Sequence, residues 1–307
     1  MQGQGGAALG RGLAWFNDQP AILLTLTALF WAGNVIAGQL AKGHVEPFAL
    51  VLLRWAGVSL LLLPLFGGEI RAHWAVIRPA LPRIAFMATA GFTCFNAMFY
   101  AASHTTTGIT IGILQGSMPV FVLAGAYLFQ GTRVAPVQAV GVALTLAGVI
   151  IVASKGSVSA VLEQGLNPGD ALMLGACLLY SGYTVALARR PAMPGRAFFA
   201  LMCPIAALSA VPFAVGEAII VGPSWPTAQG WVVTLYVTLF PSCFAQLFFL
   251  RGVDLIGPGR AGVFINLVPI FAALLSIALL GEVFSLYHGV ALALVLTGIW
   301  LSQRNAE

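Results

Sequence analysis

Charge is what this sequence has least of. Only 7% of its 307 residues are Asp, Glu, Lys or Arg, against about 25% in soluble domains, which excludes an ordinary water-soluble globule. A nucleic-acid surface is missing as well. The formal charge is +5, but the basic residues sit mostly at the ends of apolar stretches and form no patch with interleaved aromatics. Long polar segments are absent, so no soluble domain is left over. Cysteine is sparse: Cys94, Cys177, Cys203 and Cys243 fall inside apolar stretches without a CxxC, which reads as core or lipid-facing thiols. His44, His73, His104 and His288 lie near loops and lack metal-ligand spacing. There is no HExxH, no GxGxxG after a strand, no GxxxxGK[ST] and no Ser-His-Asp context. These absences argue against an enzyme and leave no catalytic residue, metal or cofactor to assign.

What the chain has is apolar length. It is 60% hydrophobic, and runs of about 20 residues, each able to cross a bilayer, recur along it. Ten spans are expected, at 20–40, 47–66, 81–102, 108–129, 136–153, 169–188, 197–217, 230–250, 259–280 and 286–303. The first follows a polar, glycine-rich lead and is long enough to span, unlike a cleaved signal peptide. With the N-terminus inside, eleven Lys/Arg fall on the inner side, two (Lys42 and Lys155) on the outer, and Arg54 within a span. That bias predicts cytoplasmic N- and C-termini and suits a bacterial inner membrane.

A duplication orders the chain. Gly112, Pro119, Phe121, Gly131, Val140, Leu144, Leu146 and Gly148 recur 150 positions later as Gly262, Pro269, Phe271, Gly281, Val290, Leu294, Leu296 and Gly298. The expected organisation is a lead (1–19), a first five-helix repeat (20–153), a linking loop (154–168), a second repeat (169–303) and a tail (304–307). Five is odd, so the second half enters the membrane upside down. The fold class expected is an all-α membrane protein with ten transmembrane helices as an inverted five-plus-five repeat, whose site lies between the halves.

Trp31-Ala32-Gly33-Asn34 on the first span resembles the W-G-x-N signature of the EamA-type branch of the drug/metabolite transporter superfamily, with the glycine here directly before the asparagine. Arg54 matches the arginine that family carries on its second span. Tyr100 to Gly131 resembles its small-residue helix with a mid-span proline, and Gly281-Glu282 followed by Gly298 resembles its G-E…G ending. In the first half Thr132 replaces the acid. The resemblance implies a small-metabolite exporter, most similar to the amino-acid exporters.

The repeat also selects candidate site residues. Gln115 pairs with Asn266 (one position off), Asn96 with Gln246, and Trp31 and Asn34 with Tyr180 and Tyr183 at an offset of 149. Tyr100 lies one turn beyond Asn96 on the same helical face. Neutral amides, phenols and an indole would suit a zwitterion. The same amides also serve as glue between helices, at about 0.6–2 kcal/mol per hydrogen bond. Arg54 has two readings: snorkelling to the headgroups, or facing the interior to attract a carboxylate. Gly108, Gly112 and Gly116 form overlapping GxxxG motifs, and Gly259 and Gly262 open the ninth span similarly. Pro119 and Pro269 should loosen both helices in mid-span. Trp15, Trp55, Trp74, Trp225 and Trp231 are expected as interfacial anchors. Glu282 and Asp254 are expected solvated or paired with nearby arginines.

The expected partners are therefore a lipid bilayer and a small-molecule substrate, an amino acid above all, with no nucleic acid and the monomer as the working unit. With no carboxylate deep in a span, facilitated diffusion is favoured, although family analogy leaves proton antiport open. Alternatives are a multidrug or other metabolite carrier of the same superfamily, a channel, or an intramembrane enzyme.

Overall fold

The computed structural model describes residues 15–157 and 166–303. The outer part of the lead, the middle of the linking loop and the tail 304–307 lie outside the described residues, together with Arg11 and Arg304. Among the described residues there is no strand. Ten apolar helices follow in order: α1 (Pro20–Leu40), α2 (Pro47–Ala72), α3 (Trp74–Ser103), α4 (Gly108–Gln130), α5 (Pro136–Ala153), α6 (Pro168–Arg189), α7 (Gly195–Val221), α8 (Ala228–Ile256), α9 (Pro258–Leu280) and α10 (Leu286–Ser302). Nine have 18 residues or more, and α10 has 17. In hydrocarbon every backbone N–H and C=O needs an internal partner, which only a helix or a closed barrel supplies.

The ends follow from local chemistry. Pro20, Pro47, Pro136, Pro168 and Pro258 each open a helix, where a missing N–H costs nothing. Gly131 and Gly281, equivalent in the repeat, close α4 and α9 in the left-handed region at φ +69° and +66°. Helix α2 runs to Ala72 and α3 starts at Trp74, so both reach further than expected. Pro64 lies inside α2, and Pro204 and Pro212 inside α7, without ending either helix.

Packing carries the two-fold relation. Helix α1 packs on α8 and α9, and its counterpart α6 packs on α3 and α4; α2 packs on α7, α4 on α9 and α5 on α10. Exchanging the halves returns the same set of contacts, as an inverted five-plus-five repeat requires.

The symmetry fails at the two ends of the bundle. Call one end the arginine end, where Arg71, Arg78, Arg83, Arg133, Arg189, Arg190, Arg196, Arg251 and Arg260 gather at helix termini, and the other the acidic end. At the acidic end Gly108 to Leu114 of α4 are all buried. A Cβ on Gly112 would come within 2.6 Å of Ala272 Cβ, and one on Gly108 would meet the Ser276 hydroxyl, so both glycines seat α4 directly on α9. Gly116 departs from that seam and faces Val295 and Ile299 of α10. At the arginine end the equivalent segment Pro258–Ile265 buries only Ala261, and Gly259 and Gly262 have nothing within 4 Å. Of the GxxxG glycines, Gly108 and Gly112 lie against α9, Gly116 lies against α10, and Gly262 has nothing within 4 Å in this conformer.

Carboxylates latch the closed end. Glu282 accepts the backbone N–H groups of Gly108 (2.7 Å) and Ile109 (2.9 Å) at the start of α4. Glu217 accepts those of Phe48 and Ala49 at the start of α2. Buried Asp170 accepts the Thr106 hydroxyl at 2.5 Å. Glu282 therefore overturns the expectation of a solvated or arginine-paired side chain: the positive end of a helix dipole holds it. Burial pulls the neighbouring Lys42 ammonium below the ordinary lysine range, and the Glu282 carboxylate works against that pull. The repeat equivalents of Glu282 and Glu217 at the arginine end are Thr132 and Gly67, so neither of these two latches has a counterpart there. Arg196–Glu69 (2.7 Å) and Arg251–Asp18 (2.6 Å) are surface pairs at that end.

Trp15, Trp74, Trp225 and Trp231 are exposed near helix ends, as expected. Trp55 is not: only 3% exposed, it lies in the core beside Arg54. All four cysteines are free, three of them buried.

Candidate functional site

A cavity of about 460 Å³ lies between the two repeats, within the size range of small-ligand pockets. Its depth is set by Arg54, Trp55, Asn34 and Asn96, and its mouth by Thr184, Asn266, Ser302 and Gln303 toward the arginine end. Seven of the nine predicted substrate-binding residues line it: Trp31, Asn34, Asn96, Gln115, Tyr180, Gln246 and Asn266. Both prolines, Pro119 and Pro269, line it too, as does Gly116.

Breaks in the helices put these groups there. Helix α4 is interrupted between Gln115 and Met118, and α9 at Asn266, just before Pro119 and Pro269. The interruptions carry the Gln115 and Asn266 amides to the wall. Gln115 Nε2 is shielded there without a hydrogen-bond partner among the described residues. Helices α3 and α8 each contain a π-helical turn, Thr89–Cys94 and Thr238–Phe244, at equivalent places in the repeat. Such turns free backbone carbonyls and rotate the residues beyond them. Trp31 Nε1 donates to the carbonyl of Pro241 at 3.1 Å, Asn96 Nδ2 to that of Phe92 at 2.6 Å, and Ser242 Oγ to that of Val237 at 2.6 Å.

Arg54 is the centre of the site. It is 5% exposed and turned inward, so it does not snorkel to the headgroups. Its Nε donates to Ser242 Oγ at 2.7 Å. Its Nη1 lies 3.0 Å from Asn34 Oδ1, 2.8 Å from Asn96 Oδ1 and 2.5 Å from the Tyr100 hydroxyl, so two N–H groups are shared among three acceptors. Tyr100 in turn donates to Asn34 Oδ1 at 2.8 Å. The guanidinium carbon sits 5.1 Å from the centroid of the Trp55 ring, and Trp55 stacks on Phe92 at 4.6 Å. Every one of these partners is neutral. No Asp, Glu, Lys or His lines the cavity among the described residues, and Nη2, which is not sealed off, donates to none of them.

Two predicted residues stand behind the wall instead of on it. Tyr100 is fully buried and braces Arg54. Its position one turn from Asn96 gave it the correct face but not the depth. Tyr183 packs edge-on to Phe92 and over Gly91, where a Cβ would come within 2.5 Å of its ring. Trp55, expected as an interfacial anchor, and Ser242, not singled out, also line the cavity. Trp55 is flagged in sequence only by adjacency to Arg54, and Ser242 by adjacency to the mid-span Pro241.

The arrangement offers a cationic donor, several amides and aromatic faces, and along the cavity wall no nucleophile paired with a base. Such a lining suits a binding site. Comparison with known proteins identifies the family. The EamA-like transporter family matches residues 19–154 and again 167–303, one match per repeat. The chain is 27% identical to the uncharacterized transporter YwfM of Bacillus subtilis, covering 94% of this chain and 96% of that one. It is 24% identical to an uncharacterized transporter of Archaeoglobus fulgidus, over 93% and 98%. The uncharacterized inner membrane transporter YedA of Escherichia coli is 23% identical over 89% and 87%. A crystal structure superposes with a TM-score of 0.61 over 92% of this chain and 95% of its own, at 17% identity, and so shares the fold. With a cavity between two inverted repeats and a family match on each of them, this chain belongs to the EamA-like transporter family of membrane transporters.

Proposed function

We propose that the chain exports small carboxylate-bearing metabolites, amino acids among them, across a bacterial inner membrane by alternating access. One observation carries this reading. A buried guanidinium without an acidic partner stands at the depth of a cavity that is open at one end and latched at the other. The arginine end is the cytoplasmic one by the positive-inside rule, with both termini on that side, so the cavity faces the compartment from which an exporter loads. Residues 20–153 and 169–303 act as the two halves, joined by 154–168. All groups of the site come from one chain, which suits a working monomer. Facilitated diffusion fits a cavity whose lining holds no carboxylate among the described residues.

The breaks at Gln115 and Asn266 serve as joints. Exchanging the roles of the repeats moves Gly262 onto Val122, as Gly112 now sits on Ala272, and opens the acidic end. A second reading, a multidrug carrier, draws support from the aromatic wall of Trp31, Phe95, Phe99 and Tyr180. Arg54 discriminates: organic cations should be excluded by it.

Purified protein in liposomes tests the proposal. Labelled neutral amino acids should enter saturably, show counterflow, and ignore an imposed pH gradient. Non-saturable flux without counterflow indicates a channel, and a strict need for the gradient overturns facilitated diffusion.

A further inference from the structure

The charge balance of the cavity says more about the substrate than its size does. Arg54 brings one positive charge, and no lining carboxylate offsets it among the described residues. The two ion pairs among the described residues, Arg196–Glu69 and Arg251–Asp18, belong to the surface of the arginine end. Tyr100 uses its hydroxyl hydrogen on Asn34, so it stays a neutral phenol and supplies no counter-charge. A buried cation is poorly tolerated unless something neutralises it. The face of Trp55 offers partial relief. The full counter-charge must come with the ligand.

We infer that the preferred substrate of this cavity is an organic monoanion, a carboxylate on a flat apolar body without an ammonium group, held in preference to a zwitterionic amino acid. The inference rests on the cavity being the transport site. Covalent geometry supplies the reason. In an α-amino acid the ammonium and the carboxylate share one carbon. Docking the carboxylate on the free edge of Arg54 therefore brings the ammonium beside the same guanidinium, where like charges repel. The ammonium finds neutral groups there, the amide oxygens of Gln246 and Asn96, the Ser242 hydroxyl and aromatic faces, with no carboxylate among the lining residues to match its charge. A monoanion leaves the site neutral; a zwitterion leaves it with the charge it had before. The body of the ligand meets Trp31, Phe95 and Tyr180, and aromatic faces favour a planar partner.

Three compounds with the same phenyl body separate the terms: 3-phenylpropionate, phenylalanine and phenethylamine. Binding to the intact protein in lipid nanodiscs is measured by calorimetry, and counterflow in liposomes accompanies it. The expected order is 3-phenylpropionate over phenylalanine by about tenfold or more, the effect of one unmatched charge at reduced dielectric, with phenethylamine weakest. Arg54→Met should erase the preference, and Arg54→Lys should retain part of it, which covers the case of a poorly folded first variant. Phenylalanine binding as tightly as 3-phenylpropionate, with counterflow intact, overturns this inference and leaves the transporter reading standing. Neither binding nor counterflow with any of the three overturns both.

Discussion

Replacing Arg54 with methionine is expected to weaken substrate binding by about a hundredfold or more while leaving the protein at least as stable as before. The two effects have opposite signs for one reason. Truncating one partner of a buried, hydrogen-bonded charge pair costs about 2–5 kcal/mol in binding, and each 1.4 kcal/mol or so is tenfold in affinity. In the empty protein that partner is missing, and replacing buried charged groups by apolar residues of similar volume is often neutral or stabilising by about 1–4 kcal/mol. Tyr100 keeps its bond to Asn34 and Ser242 keeps its bond to the Val237 carbonyl, so few polar atoms are orphaned. Calorimetric affinity and the melting temperature, measured on the same preparation, check both arms. A large fall in melting temperature would make Arg54 a structural brace. Arg54→Lys keeps the charge but loses the planar fork, and should fall between.

The second large effect is expected at the acidic end. Glu282 holds two N–H groups of the first turn of α4, and hydrogen bonds to charged groups contribute about 1.5–3 kcal/mol each. Glu282→Gln should shift the bundle toward opening there by about tenfold to a hundredfold. Ser276 is fully buried against Gly108 at that closed end, so Ser276→Cys reports the opening with a one-atom change. A hydrophilic thiol reagent applied from that side should label it faster in the Glu282→Gln background, with the unsubstituted protein as control for the native cysteines. Unchanged labelling would remove Glu282 from the gate. The reverse graft, Thr132→Glu, should latch the arginine end only weakly. The equivalent of Gly108 is Pro258, which has no N–H to give.

The fold was legible because membrane helices obey few rules. Apolar length, alternating charge and the 150-residue repeat fix the count, and Gly131 and Gly281 mark two helix ends at equivalent places. The family resemblance drawn from Trp31, Asn34, Arg54 and Glu282 led to the family that matches both repeats. The cavity was partly legible for the same reason: scarce amides at membrane depth have few places to go. The local geometry was not. The π-helical turns at Thr89–Cys94 and Thr238–Phe244 leave no periodic signature in helices apolar nearly all round. Trp55 was mistaken for an anchor and Glu282 for a solvated acid because distance from a helix end does not say which neighbour covers a side chain. Only packing against α3 and α7 buries Trp55, and only the start of α4 holds Glu282.

Alternation of the two ends is the central claim, and a single crosslink tests it most directly. In the present conformer Gly262 stands in open space and Val122 lines the cavity. Cysteines at these two positions should join only when the arginine end closes. The crosslink should form faster with substrate or with Glu282→Gln, and it should stop transport until it is reduced. A crosslinked protein that still transports, or a pair that never joins during turnover, would contradict the account.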